Sequence, residues 1–470
     1  AANAASDPSL APKGYCEVWL YGDTYYLSSL DGEIELADDV HVYGGFGASE
    51  RSRRQREWAI GLNETHVTAC HDPACGTWES TVFECRTIDG CGQNTVLDGL
   101  FVEGADARAV YVHATSTGEM NEIELRNLYL QDNASSSYGS ALYITGANSN
   151  PWIFNSDISN NSSYGFGGAV HTPSGTSTFK HCVFDNNASD TSAGGALGIG
   201  GSADVYLEDC QFFNNTSAHD GGAIYNNQGD LDVTRTAFIN NTAETRGGAL
   251  DVLIGITTIR ESWFEMNMSG IPGTDDCGLD VLASSSQGGA IYLSGGVMVI
   301  ENSVFYENSS ETGGAIYTTH DEDTDLALLA STFTENCLAL SNDGTAAYLG
   351  GAASIYNTIF WNNSPTTKSP IEDYRGTPDY AAMLYNCDVE NGWSYGGSDN
   401  FDADPLFTWN APFLFELQSG SPCIDSGYSH YRIPDYDYAY NPRVDHTSVD
   451  PNQGSGTPDY YDVGAFEAQN

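Results

Sequence analysis

Hydrophobic and polar positions repeat along the middle of the chain with a period of about 27 residues. An apolar anchor opens each F-x-x-N motif, and successive anchors are separated by 26, 28, 26, 26, 41, 28 and 27 residues. The anchors are Ile158, Phe184, Phe212, Phe238, Phe264, Phe305, Phe333 and Phe360. A constant period of this length is typical of solenoids and other repeat architectures. The one long spacing predicts an insertion loop over residues 268–287.

Positions at fixed distances before the anchors indicate strands. The position five residues before each anchor is always apolar and the position three before is nearly always polar, an alternation typical of strands. The apolar members are Ile153, Phe179, Leu207, Val233, Ile259, Ile300, Leu328 and Ile355. The position two before holds only small residues, such as Ser156 and Cys182. Small residues at one fixed position predict close stacking of one repeat on the next.

A second strand is expected after a recurring GGA[IVL] motif, whose glycines begin at 167, 194, 221, 247, 288 and 313. Glycine permits the sharp corner that leads into that strand. Short strands separated by corners fit a coil in which each turn pairs with its neighbours about 4.8 Å away. Parallel crossovers are right-handed. We therefore predict an all-β fold, a single right-handed parallel β-helix (solenoid) with an irregular N-terminal cap and a loop-rich C-terminal section.

This prediction divides the chain into three segments. Residues 1–95 form the cap and first coils with a disulfide-stapled loop, residues 96–365 form the regular β-helix, and residues 366–470 form an Asp- and Tyr-rich closing segment. In the regular part we expect two structural ladders, one of stacked anchors and one of stacked asparagines. The phenylalanine ladder is Phe184, Phe212, Phe238, Phe264, Phe305, Phe333 and Phe360, and the asparagine ladder is Asn187, Asn215 and Asn241. Some of these asparagines also form sequons, such as NAS at 187–189, so glycosylation is the alternative.

The F-x-x-N and GGA[IVL] motifs over residues 128–363 resemble the polymorphic outer-membrane protein repeat. That resemblance implies a passenger domain built as a right-handed β-helix. Residues 18–59 resemble the openings of secreted β-helix proteins, and residues 402–467 resemble the closing segment of the choice-of-anchor surface proteins. These families are defined by architecture, so the resemblance implies a fold more than a chemistry.

Charge restricts the partners. The chain carries 64 acidic and 16 basic residues, a net charge of −48, which disfavours nucleic acid and anionic membranes. The sequence has no apolar run of 18 residues, so we expect no membrane insertion. It opens with AANAASDPSL and contains 11 cysteines. We expect a secreted, extracellular or cell-surface protein whose signal peptide has been removed.

Several cysteines are candidates for disulfide bonds. Cys182 and Cys210 occupy the same position in consecutive repeats, and the strand spacing is close to the Cα separation of a disulfide. We predict that they are bridged. Cys70, Cys75, Cys85 and Cys91 are expected to form two disulfides in an early loop, and a four-sulfur zinc site is the alternative.

Acidic clusters are candidate calcium ligands, because alternating aspartates on a loop can coordinate Ca²⁺ through several oxygens. The alternative is a set of solvated loop acids. The candidates are Asp321, Asp323, Asp325, Asp435, Asp437 and Asp445. No other cofactor is expected.

The RSRRQR segment concentrates positive charge in a strongly acidic chain. Its arginines, Arg51, Arg53, Arg54 and Arg56, must find carboxylates either within the chain or on the next subunit. The second possibility makes them candidates for an intermolecular contact.

The sequence favours a structural or adhesive role over catalysis. Outward positions differ from repeat to repeat, so no catalytic constellation recurs, and we assign no catalytic residue and no enzyme activity. We predict an extracellular structural or adhesive β-helix protein that self-assembles head to tail into a surface fibre or binds a cell-envelope component. The alternatives are a monomeric adhesin that binds cells or glycans, and a β-helical polysaccharide lyase or hydrolase.

Overall fold

The structure, a computed structural model, describes residues 15–27, 33–47, 55–56, 63–69, 81–87, 91–92, 94–114, 120–271, 273, 286–339, 344–374, 382–409, 414–429, 433–447, 449 and 452–469. The chain divides into two compact units. The first is Ala1–Ala218 with Ala223–Leu231, and the second is His219–Gly222 with Asp232–Asn470. Within the described residues, no helix has the length and apolar character needed to cross a bilayer.

Each regular turn of a unit contains up to four short strands. The lead strand follows GGA, the second strand precedes the anchor, the anchor strand contains it, and the short strand follows the asparagine doublet. In one turn of the first unit these are Leu142–Thr145, Trp152–Phe154, Asp157–Ser159 and Ser162–Ser163. Every strand pairs in parallel with its equivalents in adjacent turns, as in the pairing of Phe184 with Phe212. The predicted all-β parallel β-helix is confirmed.

The first unit contains four sets of strands. Its lead strands are Ile34–Glu35, Thr81–Arg86, Arg108–His113, Leu142–Thr145 and Ile224–Asn226. Its second strands are Cys16–Tyr21, Val40–Phe46, Val96–Asp98, Glu124–Arg126 and Trp152–Phe154, while Val170–Lys180 and Leu197–Glu208 each span a lead and a second strand. Its anchor strands are Thr24–Leu27, His66–Ala69, Phe101–Glu103, Tyr129–Gln131, Asp157–Ser159, Val183–Asp185 and Gln211–Phe213. Its short strands are Ala134–Ser135, Ser162–Ser163, Ala188–Ser189 and Thr216–Ser217.

The second unit repeats the plan, and strand Asp230–Thr234 contains the division between the units. Its lead strands are Leu250–Val252, Ile291–Leu293, Ile316–Thr318, Ala347–Leu349 and Ile371–Asp373. Its second strands are Ile256–Arg260, Gly296–Glu301, Thr324–Leu329, Ala352–Tyr356, Met383–Tyr385 and Gly396–Ser398. Its anchor strands are Ala237–Ile239, Trp263–Glu265, Val304–Tyr306, Thr332–Thr334, Ile359–Trp361 and Asp388–Val389. Its short strands are Thr242–Ala243, Met268–Ser269, Ser309–Ser310 and Cys337–Leu338.

The anchors form the core of both units. In the first unit the rings of Phe184 and Phe212 stack with centroids 4.4 Å apart. In the second unit the successive centroid distances from Phe238 through Phe264, Phe305 and Phe333 to Phe360 are 4.8, 4.7, 4.4 and 4.8 Å. All seven side chains are buried. These distances match the spacing of hydrogen-bonded strands, so each ring packs directly on the ring of the next turn.

The asparagine doublets divide two tasks between their members. The first member, as in Asn186 with φ 54°, turns the corner in the left-handed region that asparagine tolerates. The second member is buried. Asn187 donates from its backbone N and from Nδ2 to Oδ1 of Asn215, both at 3.0 Å. In the second unit Asn241 donates in the same way to Asn267 at 3.1 and 3.0 Å. The buried amides make sequons such as that of Asn187 inaccessible in the folded chain.

The position three before the anchor is a second corner, not the strand position predicted from its polarity. His181 has φ 54° and Glu261 has φ 50°, and the second strands end one residue earlier. A side chain at such a corner points away from the core, which explains why the position is polar. The alternation predicted for the residues before it is observed in strand Ile256–Arg260, where Thr257 and Ile259 are buried.

The two glycines of GGA serve different purposes. The first has positive φ, as in Gly247 with φ 58°. The second leaves room for the neighbouring turn, because a Cβ on Gly248 would lie 2.1 Å from the carbonyl oxygen of Gly289. The motif therefore encodes both a corner and a close backbone approach.

The structure contradicts the predicted bridge between Cys182 and Cys210, whose buried thiols are not disulfide-bonded. Side chains at equivalent positions of parallel strands point the same way, so their Cβ atoms stay about 4.8 Å apart, farther than the ~3.8 Å of a disulfide. Each thiol instead hydrogen-bonds to carbonyl oxygens, as Cys210 Sγ does to Phe179 O at 3.4 Å. Cys85 and Cys91 form a disulfide, whereas Cys70 and Cys75 lie outside the described residues.

In the second unit, the described residues between 401 and 469 pack along the outside of the anchor strands, and we call them the return segment. Cys423 donates to Asp388 at 3.2 Å, Asn357 donates to the carbonyl of Tyr428 at 3.0 Å, and Asn302 donates to that of Tyr436 at 2.6 Å. Its apolar residues join outward side chains of the anchor strands in one buried cluster. The fully buried members include Val304, Ile359, Phe415, Val463 and Phe466.

Candidate functional site

The outward face of the lead strands carries a tyrosine stack in the second unit. After the GGA motifs that begin at 288 and 313, the first residue is a buried isoleucine and the next residue is a tyrosine. Tyr348 holds the equivalent position in the following lead strand. The ring centroids of Tyr292 and Tyr317 are 5.3 Å apart, and those of Tyr317 and Tyr348 are 4.7 Å apart, with planes within 4°. Because strand register fixes the Cα positions, the rings form a rigid outer aromatic surface.

One end of this stack is open to solvent. Tyr374 is 62% exposed, and its ring lies 4.2 Å from the ring of His320 and 6.0 Å from that of Tyr348. We call Tyr348, Tyr374 and His320 the aromatic edge. Burial raises the pKa of the Tyr348 phenol, and the neighbouring Tyr317 raises it further, so this phenol stays neutral at physiological pH.

The other end of the stack meets a charged network. The Arg246 guanidinium lies 4.7 Å from the Tyr292 ring centroid and binds both carboxylate oxygens of Asp220 at 2.9 and 2.5 Å. Its Nε is 3.4 Å from Oδ2 of Asp251. Asp251 is fully buried, and desolvation raises its pKa despite the nearby arginine. This end is an internally paired cap.

The first unit presents a different outer face on its lead strands. Tyr111, Tyr143 and His171 occupy equivalent positions, with ring centroids 5.6 and 5.5 Å apart. Burial lowers the pKa of His171 to about 4, although a hydrogen bond to the carbonyl of Gly198 opposes the shift. The imidazole of His171 is therefore neutral at physiological pH.

Beside this stack lies a group of ionisable residues that we call the Arg108 cluster: Glu84, Arg86, Arg108, Tyr111 and His113. The Arg108 guanidinium is 4.5 Å from the Tyr143 ring centroid and 5.5 Å from that of Tyr111. Arg86 forms an ion pair with Glu84. Arg108 Nε, His113 Nδ1 and Glu84 Oε2 are buried and have no hydrogen-bond partner in the described part of the chain.

The electrostatics of the cluster are strongly perturbed. Desolvation is the largest cause that raises the pKa of Glu84 to about 7, and the adjacent Glu33 raises it as well, while Arg86 opposes both. Desolvation lowers the pKa of His113, and the charge of Arg86 adds to that shift. Such groups can bind polar ligands, and a carboxyl group with a pKa near 7 can also exchange protons.

The residues of this cluster follow the 27-residue period of the repeat, but outward residue types vary from turn to turn and so did not reveal them in the sequence. Glu84 and Tyr111, like Arg86 and His113, are separated by 27 residues, one period of the repeat. The structure pairs both couples across adjacent lead strands. Extending the period upstream of the first anchor would have placed these residues side by side.

The predicted calcium ligands do not converge. Within the described ranges, no group of three or more His, Cys, Asp or Glu side chains is placed to hold a metal ion. Asp321, Asp323 and Asp325 are exposed on or beside a turn, and Asp437 is buried. Asp437 accepts hydrogen bonds from the backbone N of Asn441 at 2.7 Å and of Glu467 at 2.9 Å.

The remaining two candidates are also separate. Asp435 accepts a hydrogen bond from the hydroxyl of Tyr461 at 3.1 Å, and Asp445 is exposed. Asp435 and Asp437 therefore have partners within the return segment. Calcium binding stays a prediction.

The arginine-rich segment is described only at Arg56, while Arg51, Arg53 and Arg54 lie outside the described residues. Arg56 forms an ion pair with Asp98 at 3.0 Å, and both side chains are largely buried. Of the two possibilities for this segment, pairing within the chain is therefore the one observed for Arg56.

Comparisons with known proteins support the β-helix fold. Residues 87–286 match a family model described as right handed beta helix region, and residues 302–319 match the Chlamydia polymorphic membrane protein repeat. Probable autotransporter YfaL of Escherichia coli (strain K12) is 27% identical over 254 residues. That alignment covers 48% of this chain and 18% of YfaL, so the chain spans about a fifth of that relative.

Among solved structures, the crystal structure of pectate lyase Pel9A aligns with 96% of this chain and 88% of its own, at 13% identity and a TM-score of 0.32. A similarity at that level supports no statement about activity. The family matches and the parallel coils of both units show that this chain is a right-handed parallel β-helix protein with repeats that resemble those of the polymorphic membrane proteins.

Proposed function

We propose that this chain is a non-enzymatic surface β-helix protein with an adhesive role, and that it binds glycans on cells through its outer aromatic faces. Its similarity to an autotransporter and to the polymorphic membrane protein repeat supports a location at the cell surface or outer membrane. The fold supports adhesion because stacked turns hold outward side chains in fixed positions. Head-to-tail assembly of copies, or attachment to a cell-envelope component, belongs to the same proposal.

The aromatic edge is the observation that carries the proposal. Tyr374 and Tyr348 extend a tyrosine stack into solvent, and His320 packs edge-on against them. Aromatic rings held by a rigid scaffold lose little conformational entropy on binding and offer apolar faces with polar rims. Sugar rings present matching apolar faces.

The test is binding of the purified chain to cells and to an immobilised glycan panel. We expect the double substitution Tyr348→Ala with Tyr374→Ala to lower binding at least tenfold. Tyr26→Ala is the matched control, because Tyr26 is also a strand tyrosine and is 70% exposed. Equal binding by the double variant and the wild-type chain would contradict adhesion through the aromatic edge.

The same preparation separates the alternatives. Long filaments in negative-stain images would favour the fibre form of the proposal, and a monomeric sizing profile with retained binding would favour a monomeric adhesin. Release of unsaturated oligosaccharides from a uronate polymer would instead establish a lyase, with Glu84 as the first residue to substitute because its pKa is near 7.

A further inference from the structure

Arg108 is exceptional among the arginines of this acidic chain. Every other arginine that the structure describes lies within 4 Å of a carboxylate oxygen. Those pairs are Arg56 with Asp98, Arg86 with Glu84, Arg126 with Asp98, Arg235 with Glu261, Arg246 with Asp220, Arg260 with Asp232 and Arg443 with Glu467. Within the described residues Arg108 has no such pair, although the sequence holds four times as many acidic as basic residues.

The side chain of Arg108 is nevertheless held in place. Its guanidinium lies within 6 Å of two aromatic rings, 4.5 Å from the Tyr143 centroid and 5.5 Å from the Tyr111 centroid, and cation–π attraction to these rings holds it in place. Both tyrosines lie on lead strands whose register is fixed by parallel pairing. A fixed, unpaired guanidinium is preorganised for an anion.

Three buried polar atoms of the cluster lack partners in the described structure: Arg108 Nε, His113 Nδ1 and Glu84 Oε2. Leaving such an atom unsatisfied costs about 1–3 kcal/mol. Their chemistry is mixed, since Arg108 needs an acceptor and Glu84 Oε2 can accept from a donor. A bare inorganic anion would satisfy the arginine but not the carboxylate. A ligand with both an anionic group and hydroxyl groups would satisfy both.

We propose that the Arg108 cluster is a binding site for an acidic saccharide, with its carboxylate on Arg108 and a ring hydroxyl on Glu84. This inference rests on the proposed adhesive function and names a ligand class for the first unit. His113 supplies a further hydrogen bond, and the Tyr111 and Tyr143 rings position the guanidinium. The saccharide carboxylate would be the anionic partner that Arg108 lacks within the described residues.

The test uses isothermal titration of the full chain with a uronate-containing tetrasaccharide and with its carboxyl-reduced, neutral counterpart. We expect the acidic sugar to bind at least tenfold more tightly than the neutral one. Arg108→Gln should remove that preference, and Arg260→Gln, which breaks an ion pair elsewhere, should keep it. Thermal unfolding of both variants checks the fold, and Arg108→Lys, which keeps charge but not the planar group, should bind with intermediate affinity.

A sulfated tetrasaccharide, in which a sulfate replaces the carboxylate and the negative charge is kept, tests which anionic group Arg108 prefers. Equal binding of the acidic and neutral sugars by the wild-type chain would overturn this inference without any variant, while leaving glycan adhesion in place. If no sugar binds but adhesion through the aromatic edge persists, the inference fails alone. Loss of both adhesion and sugar binding would overturn the proposed function as well.

Discussion

The outward positions of the anchor strands differ between the two units although their inward positions are alike. In the first unit, the residues just before the anchors Phe184 and Phe212 are Val183, which is half-buried, and Gln211, which is exposed. In the second unit the equivalent residues Val304, Thr332 and Ile359 are buried. The repeat therefore determines which side chains are buried inside the coil, whereas the chain packed on the outside determines whether the outward side chains are buried or exposed.

The cause of this difference is the return segment. Its apolar side chains, including Phe415 and Phe466, pack on outward residues of the second unit that would otherwise face water. Arg443 binds Glu467 at 2.8 Å and Asn302 at 2.9 Å, so the segment is also joined to a corner of the coil by buried polar contacts. The second unit is thus a coil with a covered outer face, and the first shows an uncovered version of the same strands.

Removing the return segment should have the largest effect. A chain ending at Asn400 would expose Trp263, Val304, Ile359 and Trp361 together. Each fully buried apolar side chain contributes about 1.5–3 kcal/mol, and their sum is comparable with the net stability of a domain, ~5–15 kcal/mol. We expect the second unit to lose protection in hydrogen-exchange mass spectrometry while strand Val183–Asp185 keeps it. Unchanged hydrogen exchange in both units would show that the second unit does not need the return segment for its stability.

The same substitution at the position just before the anchor, made once in each unit, tests whether the two outer faces differ. Val304→Asp places a carboxylate in the covered apolar cluster, and we expect it to lower the free energy of unfolding by about 3–5 kcal/mol. Val183→Asp makes the same change on the uncovered face and should cost less than about 1 kcal/mol. Chemical denaturation of the two variants measures the difference. Similar losses would mean that the outer faces do not differ as described.

Substitutions of inward-facing ladder residues should instead lower the free energy of unfolding by similar amounts in both units. Asn187→Ala and Asn308→Ala each remove a buried amide that donates to and accepts from adjacent turns, with contacts of 2.8–3.1 Å. Each loss leaves buried backbone groups unpaired and should cost about 2 kcal/mol by denaturation. Asn186→Gly keeps the left-handed corner and should change stability by less than about 1 kcal/mol. A large difference between the two alanine variants would indicate that the ladder is not equivalent in the units.

The buried positions could be predicted from the sequence because the same residue types recur there in every turn. A stacked phenylalanine must meet another ring one turn away, and a buried asparagine must meet another amide, so these positions recur with the period of the coil. The same reasoning failed for Cys182 and Cys210, because equal register brings strands together without bringing Cβ atoms to disulfide distance. Recurrence shows which residues are neighbours, and bond geometry decides what those neighbours form.

The outer faces could not be predicted in the same way. The Arg108 cluster uses different residue types in adjacent turns, and the return segment reaches partners more than a hundred residues away, such as Asn302 with Arg443. Neither feature leaves a repeating signal. Candidate sites on a β-helix therefore depend on register and on long-range packing, which the structure supplies.

The two units should also differ in how a buried titratable group in each responds to pH. Asp388 accepts hydrogen bonds from the return segment, from Ala403 N at 3.1 Å and Cys423 Sγ at 3.2 Å. Desolvation raises its pKa from 3.8 to about 7, so the folded second unit binds a proton that the unfolded chain releases. Its contribution to stability is complete below about pH 4 and is lost as the pH rises through 7.

His171 in the first unit should respond in the opposite sense. Burial lowers its pKa from 6.5 to about 4, so its contribution is present above pH 6.5 and is lost as the pH falls toward 4. We expect Asp388→Asn to stabilise the second unit at pH 8 by on the order of 2 kcal/mol and to change little at pH 4.5. His171→Gln should leave the first unit less sensitive to acid. Because each group belongs to a different unit, unit-resolved hydrogen exchange at both pH values measures the two responses in one experiment, and parallel responses of the two units would contradict the assignment.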